Sequence, residues 1–212
     1  MSSNQLPTDY QSFIHKSRYA RWQEGTGNRE SWSETVTRFM DNIVIPKTGD
    51  DTYIRDLEQA ILSLDVMPSM RSLMTAGPAA SRDNTSMYNC SYLAVNNIKA
   101  FDQAMFILLC GTGVGFSVER QYVSKLPEVP EKLFKSDTTI VVKDSKEGWA
   151  KSLRQLIALL YSGEIPQWDV SKVRPAGARL KTFGGRASGP APLIDLFNFA
   201  IATFTNAKGR KL

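Results

Sequence analysis

MYNCSYLAVNNIKAFDQAMFILLCGTGVGFSVER, residues 87–120, holds both cysteines of the chain and its densest run of glycines. Residues 88–95 are short and β-rich, with Cys90 near their start. Phe101, Ala104, Met105, Leu108 and Leu109 recur at i, i+3, i+4, i+7 and i+8, which predicts a helix with one apolar face. Gly111, Gly113 and Gly115 break that helix, and 114–118 resume a β pattern. Strand, helix, glycine turn and strand make a βαβ-like unit, so an α/β fold with a parallel sheet or barrel is expected.

On the N-terminal side, residues 1–30 are polar and interrupted by glycine, with an aromatic and basic knot at Arg18, Tyr19, Arg21 and Trp22. Ser31 and Glu34 form a capping-box pattern that opens a helix with Trp32, Val36, Phe39 and Met40 on one face. Ile54, Leu57, Ile61 and Leu64 align on a second helix. Residues 1–65 therefore read as a small helical cap, and 67–82, with two prolines and a glycine, as an irregular linker. The remainder, 66–212, is the α/β region. Residues 121–137 are proline-punctuated and read as a surface connection, 138–142 as a short strand. Trp149, Leu153, Leu156, Ile157 and Leu160 mark another helix, and Leu193, Leu196, Phe197, Ala200, Ile201 and Phe204 the last one. The final α/β unit has no strand after it, which reads as an interruption at residues 207–212.

Composition narrows the function. The chain has 212 residues, a net charge of +5 and a pI near 9.2. Mild basicity suits a nucleotide phosphate, a nucleic acid or an acidic partner, and equally a surplus of surface lysine. Two cysteines are too few for a disulfide scaffold and point to a reducing compartment, with the cytoplasm expected. No apolar run approaches a membrane span, and the first residues lack a signal-peptide core. His15 is the only histidine, and no cluster has metal-ligand spacing. GTGVGF at 111–116 fails the dinucleotide fingerprint, because Phe116 stands where its last glycine is needed and the glycines follow a helix. Arg174, Arg179, Lys181 and Arg186 lie among glycines and alanines, the mixture a phosphate-reading loop requires. Taken alone, Cys90 in a strand reads most often as a small core residue, and Cys110 as helix packing. A groove-reading element or stacking platform for nucleic acid is not evident.

Several blocks, in order along 18–212, together resemble the large subunit of ribonucleotide reductases, especially the adenosylcobalamin-dependent (class II) type. They are YARW at 19–22 and SWSETV at 31–36, MPSMRSL at 67–73, NCSYLAV at 89–95, GTGVGFSVERQYVSKLPEV at 111–129, EGWA at 147–150, VRPAGARLKTFGGRASGP at 173–190 and NAKGRKL at 206–212. The resemblance implies a helical N-terminal region followed by the first half of a ten-stranded α/β barrel, hence an incomplete barrel in these residues. It implies reduction of ribonucleotides to 2′-deoxyribonucleotides by thiyl-radical chemistry, supplying deoxyribonucleotides for DNA replication. Cys90 matches the first member of the family's redox-active cysteine pair. Met67, Pro68, Ser69, Asn89 and Gly113 match substrate-contacting positions. Asn97, Glu119, Arg120 and Lys125 lie where effector nucleotides bind, and Arg174, Arg179, Lys181 and Arg186 in the loop that relays effector identity to substrate choice.

Adenosylcobalamin and an external dithiol are the implied cofactor and reductant. The implied partners are a ribonucleotide substrate, dNTP or ATP effectors, a thioredoxin-type reductant and a C-terminal half of the enzyme. The family's radical cysteine, the second cysteine of its pair and its catalytic glutamate all lie downstream of the matching blocks. A split or truncated subunit is therefore expected, active only with its second half. Residues 127–146 are short where a monomeric class II enzyme carries an insertion, which favours a homodimer. The alternative is a catalytically inactive, nucleotide-binding regulatory module.

Overall fold

The computed structural model describes residues 6–180 and 185–212. The chain forms two compact units, Met1–Asn89 and Cys90–Leu212.

The first unit is helical. Thr8 caps α1 (Asp9–Ile14), which continues through a π-helical turn, His15–Tyr19. Strands β1 (Trp22–Gln23) and β2 (Asn28–Arg29) pair antiparallel. The expected capping box then opens α2 (Trp32–Phe39): Ser31 Oγ accepts from the Glu34 amide at 3.3 Å, and Glu34 Oε2 accepts from the Ser31 amide at 2.7 Å. Asp50 caps α3 (Asp51–Leu62) by accepting from the amides of Thr52 and Tyr53. Leu64, expected on that helix, lies beyond it with a positive φ of 69°.

Residues 67–82 are not an irregular linker. They carry α4 (Met70–Thr75), capped by Ser69, and α5 (Pro78–Arg82), with proline at its first position. Leu73 and Ala76 complete the core formed by Trp32, Val36, Phe39, Met40 and Ile61. This packing draws 66–89 into the helical unit, whereas composition places the boundary at 65/66.

Beside the core lies a buried polar network. Glu30 accepts two bonds from Arg38, at 2.7 and 2.8 Å, one from the Arg21 amide at 2.9 Å and one from Thr35 Oγ1 at 3.1 Å. Arg38 Nη1 also donates to the carbonyls of Leu73 and Ala76, the open C-terminal end of α4. His15 Nε2 is 2.9 Å from Thr35 Oγ1, so the lone imidazole is a core group.

The second unit contains two βαβ modules. β3 (Cys90–Ala94), α6 (Lys99–Leu109) and β4 (Gly113–Ser117) form the first, with β3 and β4 parallel. A short α7 (Arg120–Val123) follows. β5 (Phe134–Val141), α8 (Lys146–Tyr161) and β6 (Glu164–Asp169) form the second, again parallel. The last helix is α9 (Ala191–Asn206). Parallel neighbours require a crossover, which α6 and α8 provide.

The described strands make separate two-stranded sheets and no closed barrel. Leu153, Leu156, Ile157 and Leu160 of α8 pack against Ile140, Val142, Leu193, Phe197 and Phe204. Trp168 meets Phe197, and Tyr161 meets Phe204, edge to face. Each fully buried aliphatic or aromatic side chain contributes about 1.5–3 kcal/mol here. Residues 121–137 are more than a surface connection: Leu126 and Val129 are buried, and Val129 exchanges backbone bonds with Gly209 and Arg210. Burial raises the Tyr161 phenol to about 12. Among the described residues, no helix is long and apolar enough to cross a membrane.

Candidate functional site

Side chains alternate faces along a strand, and residues paired in a parallel ladder share a face. Cys90 pairs with Gly113, Tyr92 with Gly115 and Ala94 with Ser117. These six residues therefore form one face of the β3–β4 pair. The opposite face carries Ser91, Leu93, Val114 and Phe116, and Leu93 lines a groove of about 660 Å³ with Phe106 and Ile107 of α6. On the first face Cys90, Tyr92, Gly113 and Gly115 are exposed.

Cys90 is thus not a packed core thiol. It forms no disulfide and stands exposed at the start of β3, with Gly113 as its neighbour across the ladder. Cys110 is buried, and Lys146 Nζ lies 3.1 Å from its sulfur and 4.7 Å from the Phe106 ring centre.

The other expected site residues fall into three groups. Met67, Pro68, Ser69 and Asn89 belong to the helical unit. Met67 and Ser69 are exposed just before α4, and the Ser69 hydroxyl accepts from the Ser72 amide at 3.4 Å. Asn97, Glu119 and Arg120 follow the two parallel strands and leave from the same end, since Val95 still donates to the Ser117 carbonyl. Asn97 Oδ1 accepts from the amide of Lys99, the first residue of α6. Glu119 Oε2 accepts from Ser117 Oγ at 2.8 Å and Gln121 Nε2 at 3.3 Å. Lys125 is exposed after α7.

The third group is the basic loop. Arg174 is held by Asp144 at 2.8 Å. Arg179 and Arg186 face each other across an antiparallel bridge, and Arg186 also donates to the Gly177 carbonyl. The described arms of the loop are joined by backbone bonds, Gly177 to Ala187, Ala187 to Ala178 and Leu180 to Gly185. Lys181 lies outside the described residues.

Two features had gone unread in the sequence. Asp102 of α6 is buried and pairs with Arg154 of α8 at 2.5 Å, joining the two crossover helices. Tyr92, on the face of Cys90, has Ser117, Tyr122 and Glu119 acting on its phenol. Ser117 lowers the Tyr92 phenol, but desolvation, Tyr122 and the nearby charge of Glu119 outweigh it and leave the group above its ordinary value. The period-two spacing of Cys90 and Tyr92 was the available signal.

An exposed thiol thus stands on a glycine-floored parallel pair, and acidic and basic residues leave one end of its strands. Residues 122–203 match the family described as B12-dependent ribonucleotide reductase, insertion domain. The adenosylcobalamin-dependent ribonucleoside-triphosphate reductase of Lactobacillus leichmannii is 28% identical, over 93% of this chain and 36% of the relative. A putative enzyme of the same description from Mycobacterium phage D29 is 30% identical, over 80% of this chain and 29% of the relative. The crystal structure of a B12-dependent (class II) ribonucleotide reductase superposes with a TM-score of 0.82 at 23% identity, over 95% of this chain and 38% of that one, and so shares the fold.

The chain is homologous to the N-terminal part of the adenosylcobalamin-dependent ribonucleotide reductases. It spans about a third of the length of the relatives it matches. The alignment with the L. leichmannii enzyme runs over 269 positions, so that enzyme carries residues with no counterpart in these 212.

The one imidazole is buried and bonded to Thr35, and among the described residues no group of His, Cys, Asp and Glu could hold a metal ion.

Proposed function

We propose that this chain is the substrate-reducing, effector-reading part of a ribonucleotide reductase, and that Cys90 is one thiol of its redox pair. The observation that carries the reading is the exposed Cys90 sulfur at the start of β3, opposite Gly113 on an open sheet face. Glycine opposite the thiol leaves room for a ribose to approach the backbone. The net step balances as a ribonucleotide 2′-OH plus two thiols giving a 2′-deoxyribonucleotide, water and a disulfide. Cys90 supplies one sulfur and one hydrogen, and the second thiol comes from the portion of the relatives beyond the matched third. An external dithiol, delivered by a thioredoxin-type protein, then reduces the disulfide by exchange.

The remaining roles belong to the same proposal. Met67, Pro68, Ser69, Asn89 and Gly113 are substrate-contacting positions. Asn97, Glu119, Arg120 and Lys125 bind a dNTP or ATP effector at the C-terminal ends of β3 and β4, where open α/β sheets receive ligands. Arg174, Arg179, Lys181 and Arg186 relay its identity. The two βαβ modules are the start of a ten-stranded barrel, which follows a helical N-terminal region in the chain. Adenosylcobalamin is held chiefly by the rest of the enzyme, which functions in the cytoplasm as a homodimer.

The test is reduction of ribonucleoside di- and triphosphates with adenosylcobalamin and a dithiol. The chain is assayed alone and with a polypeptide supplying the rest of the barrel, with Cys90 intact or as Cys90→Ser. Turnover only in the mixture, lost with Cys90→Ser, is expected. A folded mixture that binds nucleotide without turnover would leave a regulatory module and overturn the redox assignment.

A further inference from the structure

Beside Cys90, the open sheet face carries one large side chain, Tyr92, and its setting is unusual for an exposed aromatic. Its relative exposure is 64%, and Ser117, Tyr122 and Glu119 lie near enough to act on its phenol. A tyrosine this exposed leaves the flat sides of its ring accessible to a ligand.

The neighbour across the ladder is Gly115, and the backbone there does not demand glycine. Its φ is not positive, and a Cβ would meet only the Ser91 carbonyl oxygen at an ordinary 3.6 Å. A β-branched residue would suit a strand better. What glycine does at this position is leave an empty slot beside the ring. Cys90 lies two residues back on the same face, about 6.6 Å along the strand, on the order of the reach from a nucleotide's sugar to its base.

We propose that Tyr92 is a substrate-binding residue whose ring stacks on the base of the ribonucleotide, with the slot over Gly115 admitting the base while the ribose stands at Cys90. The inference rests on the reading of Cys90 as facing a ribonucleotide. Stacking of this kind tolerates any base, because each presents a π face. Tyr92 thus holds the substrate whichever base it carries, and discrimination is left to other residues.

The experiment reads occupancy at Cys90 itself. The 212-residue chain is alkylated with iodoacetamide, and the rate at Cys90 is followed by mass spectrometry against rising ADP, CDP, ATP or CTP, and against ribose 5-triphosphate, which lacks a base. The wild type, Tyr92→Ala, Tyr92→Phe and Gly115→Val are compared, each checked for an unchanged circular dichroism spectrum and melting temperature. The nucleotides are expected to protect Cys90 in the wild type. Tyr92→Ala weakens that protection about tenfold or more, Gly115→Val weakens it similarly by filling the slot, and Tyr92→Phe retains most of it. Ribose 5-triphosphate protects wild type and Tyr92→Ala equally. If nucleotides protect Cys90 as well in Tyr92→Ala as in the wild type, the stacking role is overturned while the reading of Cys90 stands. If no nucleotide protects Cys90 in the wild type, both fall together.

Discussion

Replacing Glu30 by glutamine keeps its shape and removes its charge, which isolates what the buried ion pair contributes. The Glu30 and Arg38 side chains are 8% and 14% exposed, so solvent screens them little. Glutamine keeps one acceptor oxygen for four former donors and turns an NH2 group toward the guanidinium. Breaking a buried pair by removing one partner costs about 3–5 kcal/mol. The retained acceptor places Glu30→Gln near the lower end, at about 3 kcal/mol. The assay is urea unfolding at pH 7, followed by circular dichroism and extrapolated linearly to water. A change below about 1 kcal/mol would refute the reasoning, because that is how a water-screened surface pair behaves.

The double variant Glu30→Gln with Arg38→Met sharpens the test. Where a pair serves only itself, removing both partners restores much of the stability. Here Arg38 also satisfies the carbonyls of Leu73, Ala76 and Tyr19. The double variant therefore stays destabilised, by about 1–3 kcal/mol for each carbonyl left buried without a donor.

Acid should unfold the helical unit in two stages. Burial, with Lys16 and Arg38 nearby, depresses His15 below its ordinary 6.5, so its stabilisation is complete above that pH and is lost as the unfolded chain takes up the proton below it. Burial alone would raise Glu30, but the Arg38 and Arg21 bonds and the Arg38 charge hold it below 4.5, so its contribution is lost as pH falls beneath that value; a pH series of unfolding free energies checks both, and Glu30→Gln should abolish only the lower stage. Gly148→Ala places a Cβ 2.4 Å from the Lys143 carbonyl oxygen and should cost about 1–3 kcal/mol by the same urea assay. Phe197→Ala, at a fully buried side chain against Trp168, should cost about 3–5 kcal/mol. Iodoacetamide should label Cys90 well ahead of the buried Cys110, and Cys90→Ser should leave stability within about 0.5 kcal/mol.

What was legible in the sequence was what is local. The capping box at Ser31 and Glu34 is closed by residues three apart, and the faces of α2, α8 and α9 come directly from 3.6-residue periodicity. β6 escaped because Pro166 sits inside it, and proline argues against a strand. The structure accommodates it with a register jump. Ile165 pairs with Lys135 and Gln167 with Thr139, so the ladder skips where Pro166 has no N–H to give. α4 escaped because its C-terminal carbonyls are satisfied by Arg38, a donor 35 and 38 residues away that no local pattern reveals. Cys90 was singled out by family likeness, not by its residue type, whose ordinary place is a core. Its exposure depends on which face of β3 meets α6, and that is a tertiary fact.

The open face of β3 and β4 explains how fold and chemistry are kept apart in this chain. Parallel sheets are normally covered on both faces by large apolar side chains. Here one face sends Leu93 toward α6, while the other offers a thiol, an exposed phenol and two glycines. Glycines contribute almost no apolar area when covered, so little hydrophobic free energy is gained by packing another element tightly onto them. A face of that kind is poor at holding a fold together and well suited to leaving a gap between itself and whatever lies above it. The hydrophobic stabilisation of the unit sits instead around Leu156, Leu160, Phe197 and Phe204, none of which lies on this face. Cys90, Tyr92 and Gly115 can therefore be changed without disturbing the core, so loss of ligand protection in those variants would report on the site and not on the fold.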